Sequence, residues 1–258
     1  MPLTKMKTAE ILRSDREHDC PGVGRDQVCV RIAGVAELPS RFGAFQIVAF
    51  WNNRDDKEHV ALVHGDVADQ SGVPVRVHSE CLTGDVLGSL RCDCRDQLEA
   101  ALKLIGQMER GVLLYLRQEG RGIGLINKSR AYSLQDRGLD TVEANLALGF
   151  RDEERDFAVA AHMIQSLRIR SVQLMTNNPF KIEELKKNGV EIAARLPHHL
   201  PPNPHNRFYL ETKTAKMGHY LDIDAAGARI QHLGDEQGEK PAPALIGKLD
   251  PAGLGRPV

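Results

Sequence analysis

The chain has 258 residues, enough for one sizeable domain whose core needs no disulfide staples. Lys and Arg number 34 against 35 Asp and Glu, and so even a balance argues against a dedicated nucleic-acid binder, which carries a basic excess or stripe. The longest apolar stretches, such as Ile47 to Trp51 and Val112 to Leu116, fall far short of the ~20 residues a membrane helix requires. Met1 to Arg13 lacks the continuous apolar segment of a secretory signal, so a cytoplasmic protein is expected.

Residues 1–40 mix charges, Gly22, Gly24 and Pro39 around a short apolar run at Val28 to Ile32, and read as a weakly structured extension. Strand-like segments follow at Phe45 to Phe50, His59 to Val63 and Val73 to His78, rich in β-branched residues and separated by polar turns. After Arg95 the period changes. Leu98, Ala101, Leu102 and Ile105 fall at the spacing of one buried helical face, closed by Gly111, and Val112 to Leu116 is an apolar run of strand length. The glycine-rich turn Gly120 to Gly124 leads into a helix over Leu125 to Arg137. Thr141 to Leu148 then bridges to a helix over Glu153 to Leu167. Val172 to Met175 reads as a strand, and Asn178-Pro179 as a capped helix start. From Asp222 the chain collects Gly, Pro and charge, the composition of a mobile tail. The expected fold is α/β with α+β mixing: a β-rich N-terminal half, then alternating strands and helices around a mixed, partly parallel sheet.

Five cysteines are an odd count, which points away from a disulfide framework. Cys81, Cys92 and Cys94 form a C-x10-C-x-C arrangement. Three thiolates suit Zn²⁺ and leave one tetrahedral position for water, as a catalytic zinc requires. Spacing alone leaves two other readings open: buried small residues, or a structural knuckle completed by a histidine. Cys20 and Cys29 lie in the extension and receive no role. Upstream of Cys81, the run Arg76-Val77-His78-Ser79-Glu80 puts Arg76, His78 and Glu80 on one strand face, either a solvated face or a polar wall leading to the metal ligand. Gln118-Glu119-Gly120-Arg121 precedes a helix whose first N–H groups and whose Arg121 guanidinium suit an anion. It matches neither the Walker loop nor the dinucleotide fingerprint. Taken singly, Tyr132 reads as a packing residue, Glu153 and Arg155 as a solvated first turn, and Lys181 as a surface lysine.

Together these pieces resemble the GTP cyclohydrolase II family. The resemblance runs in family order through Arg76 to Asp85, Leu90 to Cys94, Tyr115 to Leu125, Asn127 to Tyr132, Asp140 to Asn145, Glu154 to Phe157, Thr176 to Pro179 and Lys216 to His219. It implies a catalytic domain over residues 41–221, between the 1–40 extension and the 222–258 tail. Cys81, Cys92 and Cys94 match the family's zinc ligands. Arg76, Val77, His78, Ser79, Glu80, Gln97, Glu119, Gly120, Arg121, Thr141, Thr176 and Lys181 match its GTP-binding positions. Tyr132 matches a tyrosine near the reacting purine, and Arg155 the arginine proposed as nucleophile toward the α-phosphate. Glu153 stands where the family has its proton-accepting aspartate, a carboxylate one methylene longer.

The resemblance further implies hydrolysis of GTP at C8 of the guanine, with release of formate and pyrophosphate, as the first step of riboflavin biosynthesis. One Zn²⁺ per chain, Mg²⁺ on the substrate phosphates and a homodimer are implied too, without nucleic-acid or membrane partners. Two other readings are weighed beside it: a paralogue that stops at a formylated product or serves another pathway, and a catalytically dead nucleotide-binding regulator.

Overall fold

The computed structural model describes residues 28–151 and 153–221. The expectations for residues 1–27, Cys20 among them, and for the tail from Asp222 lie outside the described residues. Seven strands form one sheet: β1 (Val30–Ser40), β2 (Gly43–Asn52), β3 (His59–His64), β4 (Val73–Ser79), β5 (Gly111–Leu116), β6 (Val172–Met175) and β7 (Ile192–Leu196). Their order is β1-β2-β3-β5-β4-β6-β7. β1, β2, β3 and β5 pair antiparallel, whereas β5, β4, β6 and β7 pair parallel. The expected mixed sheet is thus present, and it changes character at β5.

Helices cover both faces. Within β5, Val112, Leu114 and Leu116 join a core with Val159, Met163, Ile164 and Leu167 on and beside helix α4 (Ala158–Ser166). Leu113 points the other way, onto Ala101, Leu102 and Ile105 of α1 (Cys94–Gln107). Each of these β5 leucines is fully buried, which is why the strand reads as one continuous apolar run. The remaining helices are α2 (Gly124–Gln135), α3 (Thr141–Ala147), α5 (Pro179–Lys187) and α6 (Arg207–Met217). Asp140 and Glu143 close a reciprocal capping box on α3, and Asn178 caps α5 through the Phe180 N–H. Among the described residues no helix is long and apolar enough to cross a membrane.

Several local expectations are corrected. The extension does not reach residue 40, because β1 begins at Val30. Among the described residues it is an edge strand whose ladder runs to β2, so Gly34 at a register shift and Pro39 near its end are tolerated there and blur its alternation. Thr141 to Ala147 is a helix rather than a bridge. The helix expected from Glu153 starts only at Ala158; ahead of it the Glu154 N–H donates to Arg121 O at 3.1 Å, which fastens this segment to the glycine-rich turn. β7 and α6 have no counterpart in the sequence reading. β7 is mostly exposed, and α6 buries Leu210 with Thr212 and Lys213, so neither carries a clear apolar period.

Candidate active site

At the carboxyl ends of β4, β5 and β6 one cavity joins the three cysteines to a set of cations. This is where open parallel sheets place their ligands, because the strand-to-helix turns converge there. β4 runs through Ser79 into Cys81, and a single wide turn over Leu82–Val86 leads toward Cys92 and Cys94 at the start of α1. The three Sγ atoms lie within 4.8 Å of one another, and those of Cys81 and Cys92 are 3.7 Å apart. With Zn–S bonds of ~2.3 Å, tetrahedral zinc holds its sulfurs about 3.8 Å apart, so the cluster fits the ion.

Gly84 is part of that fit. A Cβ there would sit 2.8 Å from Cys92 Sγ and 3.1 Å from Cys81 Sγ. Gly84→Ala is therefore expected to push the thiols apart and weaken zinc binding at least tenfold in a chelator competition (roughly the scale of a disturbed metal shell), with the fold intact by circular dichroism.

The turn is braced from behind. Asp85 accepts from the Cys81 N–H at 3.0 Å and from the Tyr115 hydroxyl at 2.8 Å, and lies 3.1 Å from His78 Nε2. The His78 ring also stacks on Tyr115. Lys128 on α2 donates to Glu119 at 2.7 Å and lies 3.1 Å from Cys81 Sγ, while the Leu82 N–H donates to Glu119 at 2.6 Å. Hydrogen bonds from the Cys92 and Cys94 thiols, with the Lys128 ammonium nearby, favour the thiolate of Cys81. The Tyr132 hydroxyl lies 3.3 Å from Thr83 Oγ1, itself 3.6 Å from Cys81 Sγ, so the phenol reaches the thiol cluster through one side chain.

The cationic wall brings together Arg76, Arg121, Arg155, Lys181 and Lys213. Arg76 donates to Met175 O at 2.9 Å, and Lys181 to Val77 O at 2.8 Å. Burial, followed by the charges of Arg155 and Arg76, pulls Lys181 well below the ordinary lysine range; burial lowers Arg76 to about 10. So much like charge in one enclosure calls for an anion. Arg121 shows the same need: both terminal guanidinium nitrogens are buried without a hydrogen-bond partner, on a residue held at φ +59° in the turn. Lone buried donors of this kind are costly until a ligand fills them.

Of the residues matched to GTP binding, Arg76, Ser79, Glu80, Gln97, Glu119, Gly120, Arg121, Thr141, Thr176 and Lys181 line the cavity, as do Tyr132, Arg155 and the three cysteines. Val77 and His78 do not: Val77 packs in the core, and His78 braces the turn through Asp85. β4 keeps the expected split, with Val75 and Val77 in the core and Arg76 and His78 among polar partners, but its polar face is buried rather than solvated. Glu153 also stands off the cavity wall. Both its oxygens are taken by Arg155, at 2.6 Å through Nε and closely through Nη2; burial pushes its carboxyl up, but the Arg155 charge and hydrogen bonds together hold it below the usual range. A carboxylate so engaged positions Arg155 and is the group nearest to take a proton from it.

Several wall residues went unassigned in the sequence: Lys128, Asn145, Asn177, Tyr209, Lys213 and His219 among them. One signal was available, since Lys128, Ala131, Tyr132 and Gln135 fall at i, i+3, i+4 and i+7 on α2 and all line the cavity. Tyr209 and Lys213 on α6 had no such signal, whereas His219 lies in the Lys216 to His219 stretch that carries the resemblance.

Comparison with known proteins agrees with this geometry. Residues 30–197 match the family model described as GTP cyclohydrolase II. The chain is 58 % identical over 184 residues to "GTP cyclohydrolase-2" of Picrophilus torridus, covering 71 % of this chain and 95 % of that protein. It is 55 % identical over 192 residues to the protein of that name from Histophilus somni, covering 74 % and 89 %. With the one from Haemophilus influenzae it shares 52 % over 209 residues, covering 81 % and 93 %. A solved structure, the two-domain 3,4-dihydroxy-2-butanone 4-phosphate synthase RibBX from A. baumannii, aligns with TM-score 0.37 and 16 % identity over 65 % of this chain and 39 % of that one. That likeness is too weak to bear on fold or function.

Proposed function

Since this chain belongs to the GTP cyclohydrolase II family of hydrolases, we propose that it opens the guanine imidazole of GTP at C8. It then releases formate and pyrophosphate and forms 2,5-diamino-6-(5-phosphoribosylamino)pyrimidin-4(3H)-one. The observation that carries the reading is a three-thiol metal cluster and a converging cationic wall in one cavity. Cys81, Cys92 and Cys94 would hold Zn²⁺, which when bound would make a water nucleophilic near neutral pH.

The chain's own residues do the rest. Arg121, Arg76 and Lys181 receive the triphosphate, which enters with Mg²⁺, and a bound phosphate restores the charge that burial and crowding take from Lys181. Glu153 keeps the Arg155 guanidinium in place, and Arg155 also donates to Ser79 Oγ at 3.3 Å. Arg155 acts on the α-phosphate either as nucleophile, passing a proton to Glu153, displacing pyrophosphate and forming a phosphoguanidine that water then hydrolyses, or by stabilising the developing charge while water displaces pyrophosphate. Tyr132, one side chain away from Cys81, orients the opened base for release of formate. A homodimer in the cytoplasm belongs to the same proposal on family likeness.

Purified chain loaded with zinc and given GTP and Mg²⁺ tests it, with formate, pyrophosphate and the pyrimidine assayed together. Equal yields of the three are expected; a formylated end product would point to the paralogue, and binding without turnover to the regulator. Tyr132→Phe is expected to accumulate the formylated species, seen as a mass gain over the final product, and an unchanged formate yield would remove that role.

A further inference from the structure

The family model's match ends at residue 197, yet one wall of the cavity is built by α6 and the turn after it, through Tyr209, Lys213 and His219. This segment is fixed at several points. Lys213 pairs with Asp93, the residue between two of the thiols, at 3.3 Å, and Lys216 pairs with Asp140 at the start of α3. Gly218 takes a left-handed φ of +63° that ends α6, and the Tyr220 N–H donates to Asn177 O at 2.8 Å. His219 is thereby held inside the cationic wall. Its Nε2 is buried and has no hydrogen-bond partner, as is true of both Arg121 terminal nitrogens.

We propose that His219 is a further substrate-binding residue, which hydrogen-bonds the triphosphate through Nε2 beside Arg121. The inference rests on the GTP reading of the site. Phosphate is favoured over the base because the charges that weigh most on the ring are cations: Lys213 on α6, Lys181 on α5, Arg121 in the glycine-rich turn and Arg155 ahead of α4. Burial first, and then those charges, lower the imidazole to about 3, so the ring is neutral while the cavity lacks an anion. A bound polyphosphate offsets the cations and draws a proton onto the ring, which strengthens the bond it donates.

Titration calorimetry on the zinc-loaded full chain tests this with inorganic tripolyphosphate, GTP and guanosine as probes. His219→Gln and His219→Ala are expected to weaken tripolyphosphate and GTP about tenfold or more, the scale of a hydrogen bond to a charged group, and to leave guanosine and zinc content unchanged. Repeated in buffers of different ionisation enthalpy near neutral pH, the unsubstituted protein should take up more protons on binding tripolyphosphate than His219→Gln does. Guanosine weakened as much as tripolyphosphate, or polyphosphate affinity and proton uptake unchanged in both variants, would overturn the proposal. If the unsubstituted protein binds neither GTP nor tripolyphosphate, the GTP reading itself fails and the role of His219 falls with it.

Discussion

Cys92→Ser is expected to lose zinc and ring opening together. A serine hydroxyl is a harder and far less acidic ligand than a thiol, so one of three thiolates disappears and the cluster is left with two. Metal content should fall several-fold at stoichiometric zinc, and formate release by roughly 10³-fold or more, since the water loses the ion that lowers its pKa. The fold should persist, because the sheet core that buries Leu113, Leu114 and Leu116 lies apart from the thiols. Elemental analysis and a formate assay on the same preparation check it. A variant without zinc that still opens GTP would refute the metal's role in the chemistry.

The second large effect concerns Arg155 and Glu153, whose side chains are 12 % and 9 % exposed. Arg155→Gln leaves the Glu153 carboxylate buried without its cation, which costs about 3–5 kcal/mol of stability. Pyrophosphate release should fall ~10²-fold or more, the scale of removing a preorganised charge from a transition state. Glu153→Gln, Arg155→Gln together should regain most of the stability, since the orphan charge is gone, and none of the activity. Glu153→Gln alone separates holder from base. A holder leaves the low-pH limb of the rate profile in place and lowers the rate through a looser Arg155, whereas a proton acceptor loses that limb. Thermal melts and pH–rate profiles on the four proteins make the cycle.

The stability of the Glu153–Arg155 pair should depend on pH with a definite sign. The folded-state pKa of Glu153 is depressed, against burial, by the charge and hydrogen bonds of Arg155 together. Its contribution is therefore present above the ordinary glutamate range and is lost as pH falls through the depressed value.

Much of this site could be read before any fold was known. The C-x10-C-x-C spacing, the run Arg76 to Glu80 and the turn Glu119 to Gly124 are local, because each ligand set sits on one strand end or one turn. The strands β2 to β6 were equally visible, since burial on a sheet writes itself into alternation or continuous apolar runs. What stayed hidden depends on partners distant in sequence. β1 looked unstructured because an edge strand is held by its ladder to β2 more than by side-chain pattern. His78, apparently on the polar face, turns to Asp85 because that carboxylate also braces Tyr115 and the Cys81 N–H. Lys213 and His219 enter the cavity only because α6 is fastened at Asp93 and Asp140, more than 70 residues upstream.

The sequence by itself determined the class of chemistry: an even charge balance with too little apolar length for a membrane helix, three thiols at metal spacing, and arginines and a lysine set at strand-to-helix turns. Only the tertiary structure decided what those groups do to one another. It turned the even balance into a cavity where Arg76, Arg121, Arg155, Lys181 and Lys213 meet, paired Glu153 with Arg155, and left buried nitrogens of Arg121 and His219 unmatched. The physical reason is distance: ligand identity is written locally, while burial, like-charge crowding and an unmet hydrogen bond exist only once remote segments are brought within a few ångströms.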